Sequence, residues 1–309
     1  MEIIEILKHF QEKLDSDCQR TKKPRKTGIT MVMVEDIANA GPKYIEPFQD
    51  LVDRIKILDG FWHRDMNIVE QTIKAFAKMN MKVSLGGLYF ELAKTQGNLK
   101  EFMEALSGLG INEVEVENHA MDLTLEQMQQ EVKNFKDNGF QVIGEIGKKW
   151  WWKDQTRISR DLISVEKTLE QARALIDAGA DYLYWEGMIV RSLIGTQLEN
   201  KKGQKQLIEV ANQVAPEKMI FELWDCRNHP IHPMIAWLVK EFGPNVNLAN
   251  IRPWDVKFVE WIRHGIFYEM DHPYLRWSQD KSVSSCWWKS EPPDYDVDLQ
   301  RGYALKKFF

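Results

Sequence analysis

Cysteine is scarce in this chain: Cys18, Cys226 and Cys286 are odd in number and scattered, with no companion pattern for zinc or for nucleophilic catalysis. A reducing, cytoplasmic compartment is therefore expected. A basic surplus is also missing. Lys and Arg number 41 against 46 Asp and Glu, for a formal charge of -5 and a pI near 5.9. That balance gives no general pull toward phosphate backbones or anionic lipid, so neither nucleic acid nor a membrane is an expected partner. No apolar run approaches the roughly 18 residues that would span a bilayer. The first stretch, "MEIIEILKHFQEKLD", carries acids where a signal peptide needs a basic and then a purely apolar segment.

What is present is a regular alternation. Short β-rich runs are separated by segments with helical spacing. The runs are "ITMVMVE" (29–35), "RIKILDGF" (54–61), "KVSLGGLY" (82–89), "EVEVEN" (113–118), "QVIGEIGK" (141–148), "YLYWEGM" (182–188), "MIFELWD" (219–225) and "VNLANI" (246–251). Between them lie helical patterns such as "DMNIVEQTIKAFAKMN" and "TLEQMQQEVKNFKDNG", the second closing on Asn-Gly as helix ends do. Eight such runs, with no G-x-G-x-x-G turn after the first, predict an α/β chain folded as a (β/α)8 TIM barrel rather than an open doubly wound sheet.

The expected organisation is an N-terminal capping helix over residues 1–20, a barrel over 21–271 and a C-terminal extension over 272–309. The helix would place Ile3, Ile4, Ile6, Leu7, Phe10 and Leu14 against the barrel's N-terminal mouth. The extension mixes aromatics with charges and has no clear period.

In such a barrel the chemistry sits at the C-terminal strand ends, and these ends are acidic. Glu145 in "IGEIG", Glu186 in "YWEGM" and Glu222 in "FELWD" each lie among apolar neighbours. A carboxylate there is costly unless paired, protonated or bound to a metal. Three on neighbouring strands predict an oxygen-rich site for a hard divalent cation, Mg²⁺ first and Mn²⁺ as an alternative. The competing expectation is an ion network with Lys56, Lys148 or Lys149.

Lys148 and Lys149 follow Glu145 and are candidates for proton transfer, because a partly desolvated lysine titrates closer to neutrality. His119 reads either as an acid–base group or as a polar cap on the fourth strand. His229 and His232, in "NHPIHP", read as a rigid loop before a helix rather than as a metal pair. Tryptophan is abundant, at 12 residues. Trp62, Trp150 to Trp152, Trp185 and Trp224 flank the acidic strand ends, where aromatic faces enlarge apolar contact or seal a mouth.

Taken together and in order, "KPRKTGITMV" (23–32), "DRIKI" (53–57), "GGLYFE" (86–91), "VEVEN" (114–118), "EIGKK" (145–149), "FEL" (221–223) and "NVNLANI" (245–251) resemble the phosphosulfolactate synthase family. That resemblance implies a (β/α)8 barrel and, in the type activity, Mg²⁺-assisted addition of sulfite to phosphoenolpyruvate. Carried onto this sequence, it implies Glu115, Glu145, Glu186 and Glu222 as metal ligands. Lys56 with Lys148 or Lys149 becomes the catalytic set, to which His119 is added from its place after the fourth strand and not from the resemblance. Lys23, Arg25, Glu91, Asn247 and Asn250 become substrate contacts; Glu117, Trp150, Trp185 and Trp224 do not follow from the resemblance and join them only by their places at the strand ends.

The chain departs from the family pattern at Glu117, Asn118 and His119 after the fourth strand. It departs again at Met188 and at Phe267, where the family carries arginine. Two forked cations are thus replaced at positions suited to a doubly anionic substrate. The sequence therefore predicts a divergent, homo-oligomeric lyase acting on a small carboxylic acid through an enolate-like intermediate. An authentic phosphosulfolactate synthase and a non-catalytic, stress-related barrel are the alternatives.

Overall fold

The computed structural model describes residues 3–18, 20–35, 41–58, 65–119, 121, 123–147, 164–195, 198–223, 231–265, 268–269 and 272–273. All eight β-rich runs form strands: β1 (Thr30–Val34), β2 (Arg54–Ile57), β3 (Lys82–Leu85), β4 (Glu113–Val116), β5 (Gln141–Ile146), β6 (Tyr182–Trp185), β7 (Met219–Glu222) and β8 (Asn247–Ile251). They make one parallel sheet in the order β3-β2-β1-β8-β7-β6-β5-β4. Because β1 pairs with both β2 and β8, the first and last strands are joined. β3 and β4 lie in contact at a seam without a ladder between them, so the (β/α)8 barrel is nearly closed.

Alternation along the strands divides the interior into two cores. Outward residues such as Val32, Ile55, Val114, Leu183 and Phe221 pack with the surrounding helices into the larger core. Inside the barrel, Ile29, Met31, Ile143, Tyr184, Ile220 and Ala249 form a small apolar cluster. Much of the rest of the inner face is charged. Arg54 and Lys56 alternate with Ile55 and Ile57 on β2, and Glu113 and Glu115 alternate with Val114 and Val116 on β4; all eight are buried.

The strands are shorter than the runs that predicted them, because short helices begin almost at their ends. β3 stops at Leu85 and a helix starts at Gly87. Glycine leaves room there: a Cβ on Gly86 would lie 2.4 Å from Leu58 Cδ2, and one on Gly87 would lie 2.4 Å from Glu117 Cγ, so either side chain would have to shift. β6 likewise stops at Trp185, and the helix Gly187–Ile194 follows with Glu186 as its N-cap. The longer outer helices obey their local signals. Leu125–Asp137 opens on a capping box of Thr124 and Gln127, and Val165–Asp177 opens on a Ser164 cap.

The N-terminal helix, Ile3–Cys18, differs from expectation. Ile3, Ile4, Leu7 and Phe10 are exposed rather than set against the barrel. What closes the N-terminal mouth is the segment after it. Thr21 bonds to the Asn245 side chain, and Lys23 donates to the carbonyls of Gln49 and Val52. Arg25 pairs with Asp53 at 3.1 Å. No helix among the described residues is long and apolar enough to cross a membrane.

Candidate metal and active site

Period-2 alternation turns Glu145 inward near the end of β5, Glu222 inward at the end of β7, and Glu186 inward just past β6. These are the three carboxylates that the sequence singled out, and the structure brings them together. One oxygen from each lies within 4.8 Å of the others, and all three residues are buried. Glu186 is held by its own helix: its Oε2 accepts from the backbone of Met188 at 3.0 Å and of Ile189 at 3.1 Å. Glu222 is held from below, where its Oε1 accepts from Lys56 Nζ at 2.7 Å. With one oxygen of Glu186 and one of Glu222 so engaged, these two carboxylates suit monodentate coordination of a small, hard cation. Three carboxylates at this spacing repel one another unless protons or a cation come between them.

The fourth expected ligand, Glu115, is placed elsewhere. Lys56 Nζ lies 2.9 Å from Glu115 Oε2 and 3.2 Å from Oε1, so this carboxylate is clasped by the lysine rather than gathered into the triad. Lys56 itself was expected to be catalytic. Burial alone would lower its pKa, but Glu115 and then Glu222 outweigh burial and hold it well above the ordinary lysine value. It stays protonated at neutral pH, which makes it a fixed positive charge and not a base. The ring of Tyr184 lies 4.7 Å from the ammonium. One layer down, Arg54 pairs with Glu113 at 2.6 Å and covers the Tyr182 ring at 4.5 Å.

Other expected contacts fall at either end of the barrel. Glu91 and Glu117 sit at the C-terminal end, Glu91 accepting from Met121 N at 3.1 Å and Glu117 packed on Gly87. His119 is half-buried two residues beyond Glu117. Asn250, near the end of β8, has positive φ and is buried, and its Oδ1 has no hydrogen-bond partner among the described residues. An unsatisfied buried carbonyl in a strained backbone position at this mouth is the kind of group a ligand satisfies.

Lys23, Arg25 and Asn247 do not reach this end. The first two serve the N-terminal closure described above. Asn247 opens β8, where it accepts from Ile29 N and donates to the carbonyls of Glu217 and Met219. Trp185 also differs from expectation, because inward Glu186 and Tyr184 turn it outward. It is fully buried in the outer core and stacks on Phe221 at 6.2 Å between ring centres. His232 pairs with Asp255 at 2.8 Å. Lys148, Lys149, Trp150 and Trp224 lie outside the described residues.

Tyr184 and the Arg54–Glu113 pair were missed by the sequence reading. Their signal was present in "YLYWE", "RIKI" and "EVEV", where every second residue is polar or aromatic and must share one face.

A nearly closed parallel barrel with buried carboxylates gathered at its C-terminal strand ends is the architecture of a (β/α)8 enzyme. The family model described as (2R)-phospho-3-sulfolactate synthase (ComA) matches residues 18–269. The chain belongs to the phosphosulfolactate synthase family, which is enzymatic. It is 30% identical over 245 residues to the phosphosulfolactate synthase of Methanocaldococcus jannaschii, covering 77% of this chain and 92% of that one. It is 26% identical to the enzyme so named from Methanothermobacter thermautotrophicus, over 80% of this chain and 92% of that one. The Bacillus subtilis enzyme of that name is also 26% identical, over 80% of this chain and 93% of its own.

Proposed function

We propose that this protein is a divalent-cation-assisted lyase. It acts on a small carboxylic acid through an enolate-like intermediate, with a substrate changed from phosphoenolpyruvate plus sulfite. The observation that carries the reading is the buried Glu145, Glu186 and Glu222 cluster, with ligand atoms within 4.8 Å. All donors are carboxylate oxygens, which suits Mg²⁺ or Mn²⁺ and not a soft metal. A cation held there would polarise the substrate's oxygens and steady developing enolate charge.

The chain's own groups divide the remaining work. Lys56 supplies fixed positive charge from below. Lys148 or Lys149, just beyond Glu145 and the positive-φ turn at Gly147, carries the proton to or from the substrate carbon. The amide of Asn250 and the rim residues Glu91, Glu117 and His119 would read polar substrate groups, and Trp150 and Trp224 remain the sequence's candidates for apolar contact with the substrate. Met188 stands in the first turn of the helix capped by Glu186, where the family carries arginine, and this favours a substrate with less anionic charge.

Incubation with phosphoenolpyruvate, sulfite and Mg²⁺ tests the substrate claim, and no turnover above background is expected. Robust formation of phosphosulfolactate would establish the ancestral activity instead. The enolate claim is tested by Mg²⁺-dependent solvent deuterium exchange into pyruvate, followed by NMR and lost in Glu145→Gln. If Glu145→Gln alters nothing but stability, the barrel is not catalytic in this way.

A further inference from the structure

Lys56 is shared between the triad and a residue outside it. Its ammonium contacts Glu222 Oε1 at 2.7 Å and Glu115 Oε2 at 2.9 Å, and the Tyr184 ring lies on a third side at 4.7 Å. All four side chains are buried, so water does little to screen the charges. Glu222 therefore answers to two demands. It belongs to the cation cluster, and it is also part of the counter-charge of a lysine. How much negative charge it offers a cation depends on how firmly Lys56 leans on it, and Glu115 is the residue that competes for the lysine.

We propose that Glu115 is a positioning residue for the cation site: by clasping Lys56 it keeps the ammonium from neutralising Glu222, and the two together set the affinity of the triad for a divalent cation. The inference rests on the cation reading above. Tyr184 supports the arrangement by filling the remaining side of the ammonium with a ring face. The fold supports the same geometry, since Lys56 and Glu115 occupy inward positions on β2 and β4, on either side of β3 and the seam that no backbone ladder closes.

The test is Mn²⁺ binding to the full chain, measured by electron paramagnetic resonance at fixed pH and ionic strength. In Glu115→Gln the lysine is left to Glu222 alone, so affinity falls by about tenfold. In the double variant Lys56→Met, Glu115→Gln, one charge of each sign is removed and Glu222 is released, so affinity rises above that of the wild type by about tenfold. A purely structural role would not move the two variants in opposite directions. Loss of affinity in both, or no change in either, with folding confirmed by circular dichroism, overturns the inference. Should the double variant not fold, an affinity in Glu115→Gln equal to or tighter than wild type overturns it. A wild type that binds neither Mn²⁺ nor Mg²⁺ sinks the cation reading and the inference with it, whereas wild-type binding with unmoved variants sinks the inference alone.

Discussion

The two ends of this barrel both bury charge, and they handle it in opposite ways. At the N-terminal end the buried charged groups are mostly paired with opposite charge or spent on backbone carbonyls. Arg20 pairs with Glu260 at 3.2 Å, and Arg25 pairs with Asp53, whose second oxygen accepts from Thr30 N. Arg263 is wholly buried and donates to the carbonyls of Pro244, Val246 and Ile29 and to Thr30 Oγ1. At the C-terminal end, Glu145, Glu186 and Glu222 converge, and one described lysine, Lys56, is divided between Glu222 and Glu115. A buried network that is satisfied specifies and locks a structure, while gathered like charges are tolerated only where function uses them.

The largest effect expected of breaking the balanced end is on stability. Arg263→Met should cost about 3–5 kcal/mol in urea denaturation, because Glu260 loses a counter-charge and several carbonyls lose their donors. Mn²⁺ affinity should not change. The acidic end should respond the other way. Glu145→Gln should lower Mn²⁺ affinity by roughly 100-fold or more, while the urea midpoint stays the same or rises as like-charge repulsion is relieved.

A smaller contrast lies in pH. Burial acts to raise the pKa of Glu260, but Arg20, then Arg263 and His264, outweigh it and hold it below the ordinary glutamate value. A depressed folded pKa contributes stability above the unfolded value of about 4.3, and that contribution is lost as pH falls through the folded value. Wild-type stability should therefore fall more steeply below about pH 5 than that of Glu260→Gln, the two converging in acid. The smallest effect belongs to neither end. Lys74→Ala on the exposed helix Met66–Lys78 removes the ion pair with Glu70 and should cost under about 0.5 kcal/mol.

Much of this contrast is legible in the sequence. Apolar runs broken by single glutamates revealed the triad, because buried carboxylates are rare without a reason. Period-2 alternation also held information about direction. With Glu186 inward, Trp185 must face the helices, and chain order alone puts Lys23, Arg25 and Asn247 before or at the start of their strands, hence at the N-terminal end. What no spacing shows is contact across the barrel. Lys56 and Glu115 belong to strands separated by β3, and only closure of the sheet brings them within 2.9 Å. Glu115 could therefore read as a fourth ligand in the sequence and stand as a partner of Lys56 in the structure. The N-terminal helix illustrates the reverse case. Its amphipathic pattern predicts a helix correctly but does not name the surface that its apolar face meets.

The central claim is that a divalent cation sits among three glutamates at one end of the barrel. Anomalous diffraction at the manganese edge, from crystals grown with Mn²⁺, tests it most directly. The account predicts one strong peak coordinated by an oxygen from each of Glu145, Glu186 and Glu222, with Glu115 still on Lys56. No peak between those three residues at saturating Mn²⁺, or a lysine ammonium standing in that place, would contradict it.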